Sequence, residues 1–158
     1  MSLDPVVECK TRGNIHFKAK EYTLAIEAFT EGLGHDPSNH VLYSNRSAAK
    51  ASCGDYVGAC ADAQKTIDLK PNWPRGYSRL GTALSLLGKD DEARSVIQHG
   101  IRVDPTNAYL RKALEDLSHK QQKKNNNYTM GDVMKDPNAM EQFKNALGPI
   151  FASAARKK

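Results

Sequence analysis

Cysteine, long apolar runs and a signal segment are scarce or absent in this 158-residue chain. The three cysteines, Cys9, Cys53 and Cys60, include no Cys-x-x-Cys pair, so a disulfide framework or a structural zinc site is not expected. All three are predicted to be small, buried helix residues. No apolar run approaches the roughly 20 residues of a membrane span, and the N-terminal Met-Ser-Leu-Asp-Pro lacks the basic and apolar regions of a signal peptide. We therefore expect an intracellular, cytoplasmic protein without a membrane partner.

Catalytic motifs are also missing. An enzyme needs a nucleophile next to a base, a set of metal ligands or a phosphate-binding loop. The five histidines are scattered, without His-x-x-x-His or His-Glu-x-x-His spacing. Neither the Gly-x-Gly-x-x-Gly motif nor a Walker loop occurs. The sequence therefore predicts no catalytic residue, no cofactor and no metal, and we expect that the chain is not an enzyme.

The net charge of +5 is unevenly distributed along the chain. Residues 6–117 are nearly balanced, with 15 Lys and Arg against 14 Asp and Glu, whereas residues 118–158 hold eight against three. A basic tail alone is weak evidence for a nucleic acid, and this tail lacks interleaved stacking aromatics and a sustained basic amphipathic helix. We expect no nucleic-acid partner, and an RNA- or membrane-associated protein that uses the basic tail is the alternative from a different class.

What the sequence does have is an internal repeat. Prolines recur 34 residues apart, and three columns of small residues recur with the same period. The four columns are Pro37, Pro71 and Pro105; Gly13, Ser47 and Gly81; Ala25, Ala59 and Ala93; and Gly32, Thr66 and Gly100. This period is typical of tetratricopeptide repeats, in which each unit is a helix–turn–helix. The small residues let paired helices approach closely, and each proline ends a pair.

The repeat predicts an all-α fold: three tetratricopeptide repeats in a superhelix, a C-terminal capping helix and a short helical appendage. We place the repeats at about 6–39, 40–73 and 74–107. The capping helix at 108–124 presents Leu110, Ala113, Leu114 and Leu117 as one stripe. Together these form a repeat domain over residues 6–124, followed by a linker at 125–130 and a partial helical segment or tail at 131–158.

Stacked helix pairs curve, and the first helix of each pair lines the concave groove. Counted from Val6, His40 and Pro74, the fourth, eighth and eleventh positions pack against the partner helix, so the second, fifth, sixth and ninth face the groove. Lys10, Asn14, Asn45, Arg75 and Arg79 occupy groove positions. Three cations and two amides without an acidic residue favour a ligand that carries carboxylates.

Three segments carry a resemblance to a known family: Lys10–Asn14, Asn39–Ala48 and Arg75–Gly81. They resemble the N-terminal tetratricopeptide domain of the heat-shock organising proteins, or stress-inducible co-chaperones. The resemblance covers residues 6–120 and implies an adaptor that binds the C-terminal Glu-Glu-Val-Asp tail of heat-shock chaperones, the 70-kDa class before the 90-kDa class. A small glutamine-rich co-chaperone is the alternative host of such a domain, and a monomer is expected.

The resemblance also implies that the five groove residues form a two-carboxylate clamp. Arg75 stands where relatives commonly carry lysine. Lys50 stands where they often carry an aromatic or other packing residue. We expect its head to reach solvent, and a looser second repeat is the alternative. The segment 131–138 resembles the opening of the aspartate–proline-rich helical domain that follows the first repeat domain in this family. Only its beginning is present, which favours a truncated domain over packing onto the repeats or a client-binding element.

Overall fold

The computed structural model of the protein describes residues 4–126, without the side chains of 124–126, and the single positions 131, 135, 137, 138, 141 and 145. Within residues 4–126 the chain forms seven α-helices and no strand, so the predicted all-α class is confirmed. The helices are α1 (Pro5–Lys18), α2 (Tyr22–His35), α3 (His40–Ser52), α4 (Tyr56–Leu69), α5 (Pro74–Leu86), α6 (Asp90–Val103) and α7 (Ala108–Asn126). Residues 127–130 of the predicted linker and, apart from those single positions, the predicted segment 131–158 lie outside the described part.

Side-chain caps fix where several helices begin. The Asp4 carboxylate accepts a hydrogen bond from the Val6 amide at 2.8 Å, ahead of Pro5 in the first turn of α1. Asn39 and Asn107 begin α3 and α7 in the same way, and Asp55 begins α4. These caps satisfy amides that the first turn of a helix leaves without a partner.

Left-handed residues end the first helix of each pair. Lys20, Gly54 and Gly88 have φ angles of 62°, 91° and 80° at equivalent places after α1, α3 and α5. Glycine adopts this conformation without a steric cost, whereas Lys20 carries its Cβ into it. Each second helix begins two residues after the left-handed residue.

The columns of small residues lie at the helix–helix contacts. A Cβ added at Gly13 would lie 2.4 Å from Phe29 Cε1, and one added at Gly81 would lie 2.5 Å from Ile97 Cγ1. The three alanines of the matching column on the second helices are fully buried. The pairs therefore pack closely because these positions lack side-chain bulk.

The interior contains two apolar clusters. The N-terminal cluster joins α2 to α3 through Phe29, Leu33 and Leu42, with Ala25 and Ala49. The C-terminal cluster joins α4, α5, α6 and the first part of α7 and contains Ala63, Leu80, Leu84, Ala93, Ile97, Leu110 and Leu117. Ala113 and Leu114 pack against it, so the predicted stripe of the capping helix covers the last repeat as expected.

Between α3 and α4 the contact is polar. Arg46 Nε and Nη2 each donate to the Asp62 carboxylate at 2.7 Å, and Lys50 Nζ lies 3.0 Å from the same carboxylate. Ser47 Oγ donates to the Ala59 carbonyl at 2.8 Å. We call these five residues the polar layer. The expectation that the Lys50 head reaches solvent is wrong, because the buried Asp62 carboxylate attracts it and its side chain is only 19% exposed.

Two further expectations are corrected. Cys53 is exposed rather than buried, because it follows the last residue of α3 and lies at the turn into α4, while Cys9 is buried and Cys60 is half-buried. Helix α7 continues to Asn126, two residues beyond the predicted end at Lys124. No glycine or proline interrupts it, and asparagine lowers helix propensity by only about 0.7 kcal/mol.

Candidate functional site

The first helices of the three pairs, α1, α3 and α5, are neighbours. Helix α3 contacts both α1 and α5, and each first helix also packs against its own second helix. The five residues that are predicted to face the groove all lie on these three helices. Lys10 and Asn14 are on α1, Asn45 is on α3, and Arg75 and Arg79 are on α5.

Two of the predicted site residues meet directly across a pair of helices. Asn45 Nδ2 donates a hydrogen bond to Asn14 Oδ1 at 3.2 Å, and the contact joins α3 to α1. Each amide keeps further hydrogen-bonding capacity, because an amide group has two N–H donors and an acceptor oxygen. The pair can therefore bind a ligand while it holds the two helices in register.

The two arginines lie together in a cavity of about 580 Å³ at the start of α5. The Arg75 guanidinium lies over the Trp73 ring, 5.3 Å from its centroid. This is within the range of a cation–π interaction, which orients a side chain that is otherwise exposed. The cavity is lined by Trp73, Pro74, Arg75, Ser78, Arg79, Asp104, Asn107 and Tyr109.

Arg79 is partly buried. Its Nε is buried without a hydrogen-bond partner, one of two such side-chain atoms in the described residues, the other being Ser44 Oγ. Burial, and then the charge of Arg75, lower the pKa of the Arg79 guanidinium. A buried donor without a partner beside a second cation is costly, and an anion bound there would satisfy both.

A smaller cavity of about 180 Å³ links the arginine helix to the other two first helices. Phe17 of α1, Ala48 and Ala51 of α3, and Thr82 and Leu86 of α5 line it, together with Ser47, Ser52 and Arg79. Arg79 therefore lines both cavities. Lys10 lines neither cavity and forms no ion pair with another described residue. The structure thus places the five residues on neighbouring helices as two pairs, Asn14 with Asn45 and Arg75 with Arg79. Lys10 lies apart from both pairs.

The sequence did not assign six residues that line the larger cavity: Trp73, Pro74, Ser78, Asp104, Asn107 and Tyr109. Asp104 is held by the Thr106 hydroxyl at 2.8 Å and by Asn107 Nδ2 at 3.2 Å, and these hydrogen bonds lower the pKa of its carboxyl. A sequence signal did exist, because Asp-Pro-Thr-Asn at 104–107 repeats Asp-Pro-Ser-Asn at 36–39. It marked a helix cap and gave no indication that the cap would border the site.

Comparisons with known proteins agree with this architecture. The profile of the tetratricopeptide repeat family matches residues 74–107, which form the third 34-residue unit. A heat shock protein sti1 homolog of Schizosaccharomyces pombe is 42% identical over 153 residues, covering 92% of this chain and 26% of that protein. The Hsp70-Hsp90 organizing protein of Triticum aestivum is 46% identical over 109 residues, covering 69% of this chain and 19% of that protein. The chain belongs to the tetratricopeptide repeat family, and within it to the Sti1/Hsp70-Hsp90 organizing proteins.

Solved structures similar to this Sti1-family chain include peptide complexes. The second such domain of human RPAP3, in complex with the HSP70 peptide SGPTIEEVD, is 31% identical with a TM-score of 0.68 and covers 72% of this chain and 95% of that one. The first such domain of Spaghetti (RPAP3), bound to the HSP90 peptide SRMEEVD, is 29% identical with a TM-score of 0.69, covering 74% and 93%. Both peptides end in Glu-Glu-Val-Asp.

The Sti1-family chain spans 26% of the length of the Schizosaccharomyces pombe relative and 19% of that of the Triticum aestivum relative. Among its described residues, no helix is both long enough and apolar enough to cross a membrane.

Proposed function

We propose that this Sti1-family chain is a non-enzymatic co-chaperone adaptor whose groove binds the C-terminal Glu-Glu-Val-Asp tail of heat-shock chaperones. The observation that carries the proposal is the pair of arginines on α5, since Arg79 Nε is buried without a partner next to a second cation. Such a site gains most from a ligand with closely spaced carboxylates. The tail offers a terminal carboxylate and acidic side chains within four residues.

In this proposal the five residues bind two different carboxylates of the tail. Lys10, Asn14 and Asn45 hold the terminal carboxylate of the tail, where the lysine supplies charge and the amides supply N–H donors. Arg75 and Arg79 hold a side-chain carboxylate by forked, bidentate contacts. The hydrogen bond between Asn45 and Asn14 orients the two amides that bind the terminal carboxylate. The cation–π contact with Trp73 orients the Arg75 guanidinium that binds the side-chain carboxylate. Preorganised donors lower the entropy lost on binding.

The expected affinity is micromolar. A hydrogen bond to a charged group contributes about 1.5–3 kcal/mol, and a dissociation constant of about 1 μM corresponds to roughly 8 kcal/mol. The summed contribution of several such bonds exceeds this binding free energy. The conformational entropy lost when the flexible peptide becomes ordered offsets the difference.

Among chaperones we propose the 70-kDa class before the 90-kDa class. The support is the resemblance of the segments 10–14, 39–48 and 75–81 to the N-terminal repeat domain of the family. The two classes share the tail, so residues upstream of Glu-Glu-Val-Asp must decide the preference. Calorimetric titration with SGPTIEEVD and with SRMEEVD tests it. A dissociation constant for SGPTIEEVD that is equal or higher rejects the preference and leaves the clamp untouched.

The clamp is tested with one peptide in two forms. SGPTIEEVD with a free C-terminus is expected to bind, and the same peptide amidated at its C-terminus is expected to lose at least about tenfold in affinity. This loss corresponds to about 1.4 kcal/mol, within the contribution of one charged hydrogen bond. Equal binding of both forms, or no binding of either, contradicts the proposal.

Single substitutions locate the site. Arg79→Ala and Asn14→Ala are expected to abolish detectable binding of the free peptide while the helical circular dichroism spectrum is retained. Lys65→Ala is the matched control, because Lys65 is an exposed cation on a second helix, α4. If both groove variants keep the wild-type affinity, the assignment of the clamp residues is wrong.

A further inference from the structure

A second group of polar side chains lies outside the groove, where α1 packs on α2. The Cys9 Sγ, a Glu31 carboxylate oxygen and a His35 ring nitrogen all lie within 4.8 Å of one another. Cys9 occupies the fourth position of its repeat, which faces the partner helix, whereas the groove residues of α1 occupy the fifth and ninth. None of the three residues belongs to the proposed clamp.

The three side chains suit one metal ion in type and geometry. Thiolate, imidazole and carboxylate are the three ligand types that Zn²⁺ takes in proteins. Glu31 and His35 are four residues apart on α2 and therefore share a face. With bond lengths of about 2.0–2.3 Å, tetrahedral ligand atoms are roughly 3.3–3.7 Å apart. Rotation of the exposed Glu31 and His35 side chains can supply the remaining ångström, because only Cys9 is buried.

We propose that Cys9, Glu31 and His35 form a binding site for Zn²⁺, with a water molecule as the fourth ligand. The Cys9 thiol releases its proton to solvent when the metal–sulfur bond forms, since the thiolate is the ligand form. The bound ion joins α1 to α2 within the first repeat. The spacing rules of the sequence could not find this site because its ligands come from two helices, 22 residues apart at the closest.

One neighbouring cation opposes the metal. The Arg12 guanidinium forms an ion pair with Glu31, and its Nη2 lies 3.9 Å from Cys9 Sγ. In the metal-free state burial, and then Glu31, raise the pKa of the Cys9 thiol, while the charge of Arg12 lowers it. A divalent cation must therefore displace Arg12 from Glu31. We therefore expect removal of Arg12 to strengthen metal binding, because it frees Glu31 and takes a cation away from Cys9.

The site is tested with Co²⁺ as a spectroscopic substitute for Zn²⁺, on tag-free reduced protein. The expected result is saturable binding of one Co²⁺ per chain with a thiolate-to-cobalt charge-transfer band and the visible bands of tetrahedral cobalt, both removed by added Zn²⁺. Cys9→Ser should eliminate the charge-transfer band. Cys53→Ser is the matched control, since Cys53 is an exposed thiol away from the cluster, and it should leave the spectrum unchanged.

A second variant covers the case that a change at the buried Cys9 unfolds the protein. His35→Ala alters an exposed residue and is expected to weaken Zn²⁺ at least about 100-fold, since loss even of an outer-shell partner costs 10–100-fold. Arg12→Ala is expected to tighten Zn²⁺ several-fold. The proposal is overturned if no charge-transfer band forms, if Cys53→Ser removes the band, or if His35→Ala keeps the wild-type affinity.

The outcome is independent of the proposed clamp. The His35→Ala variant should bind the free SGPTIEEVD peptide as wild type does, because His35 lies on α2 and the clamp residues lie on α1, α3 and α5. Loss of metal binding with intact peptide binding supports the site. A failure of peptide binding in the wild-type protein would leave the metal result unaffected.

Discussion

The middle repeat differs from the two outer repeats in how its helices are joined. In the outer repeats a glycine on the first helix faces a large apolar side chain on the second, Gly13 against Phe29 and Gly81 against Ile97. In the middle repeat the equivalent positions hold Ser47 and Ala63. All four buried polar residues among those described belong to this repeat: Ser44, Ser47, Asp62 and Thr66.

The difference shows that one backbone plan admits two kinds of interior. The outer repeats rely on apolar burial, which is non-directional and tolerates small shifts. The polar layer relies on hydrogen bonds that are directional and fix the register of α3 against α4. Because α3 contributes to the N-terminal cluster and α4 to the C-terminal cluster, this layer also connects the two apolar clusters.

The largest expected effect comes from breaking the polar layer. Asp62→Asn removes the carboxylate that pairs with Arg46 and Lys50, whose side chains are 17% and 19% exposed. An uncompensated buried charge costs about 3–5 kcal/mol, so we expect the free energy of unfolding in urea to fall by about 3 kcal/mol.

The control for Asp62→Asn is Asp68→Asn on the same helix. Asp68 is exposed and accepts one hydrogen bond from Gln64, so its loss should cost less than about 0.5 kcal/mol. Equal costs for the two variants would show that the polar layer is not a source of stability.

An intermediate effect is expected from adding bulk to an outer repeat. The Cβ of Gly81→Ala would lie 2.5 Å from Ile97 Cγ1, and overpacking costs about 1–3 kcal/mol. The gain in helix propensity is roughly 1 kcal/mol, so a net loss of up to about 2 kcal/mol is expected in urea unfolding. Gly34→Ala is the control, because nothing lies within 4 Å of its added Cβ, and it should stabilise. A Gly81→Ala variant that gains as much stability as Gly34→Ala would contradict the close contact.

The smallest effect concerns the junctions after each repeat. Hydrogen bonds from Ser38 and Thr106 and their neighbouring asparagines lower the pKa of Asp36 and of Asp104 below the ordinary 3.8. Because the pKa of each carboxyl is lower in the folded chain than in the unfolded chain, each carboxylate adds to the free energy of unfolding above pH 3.8. This contribution is lost as the pH falls through the pKa of the folded state. The middle junction has Lys70 at the equivalent position and lacks this contribution.

The measurement compares urea midpoints of wild type and Asp104→Asn at pH 7 and at pH 3. The variant should be less stable at pH 7, and the difference should shrink at pH 3. For Lys70→Ala in the middle junction the difference from wild type should show no such acid dependence. A difference for Asp104→Asn that stays constant with pH would contradict the assignment.

Much of this fold was predictable because the period itself carries the information. Proline and small residues 34 apart define helix ends and close contacts, which depend on local geometry and little else. The placement of Lys10, Asn14, Asn45, Arg75 and Arg79 on the first helices followed from counting along that period. Their role in binding stays a prediction.

Contacts between helices were not predictable in the same way. Lys50 was expected at solvent because a lysine at a packing position usually extends its head outwards, and only the tertiary structure brings the Asp62 carboxylate to it. The cavity beside Trp73 and Tyr109 forms where the start of α5 meets the start of α7, 36 residues apart in the sequence. The 34-residue period indicates neither the contact between Lys50 and Asp62 nor the cavity between α5 and α7.

The polar layer has a consequence on heating. The hydration of charged groups becomes less favourable as temperature rises, so the desolvation penalty of an ion-pair network falls. The desolvation cost of the Arg46–Asp62–Lys50 network therefore falls as the temperature rises. The segment of α3 that carries Asn45 is thus held by an interaction whose net contribution to stability improves on heating.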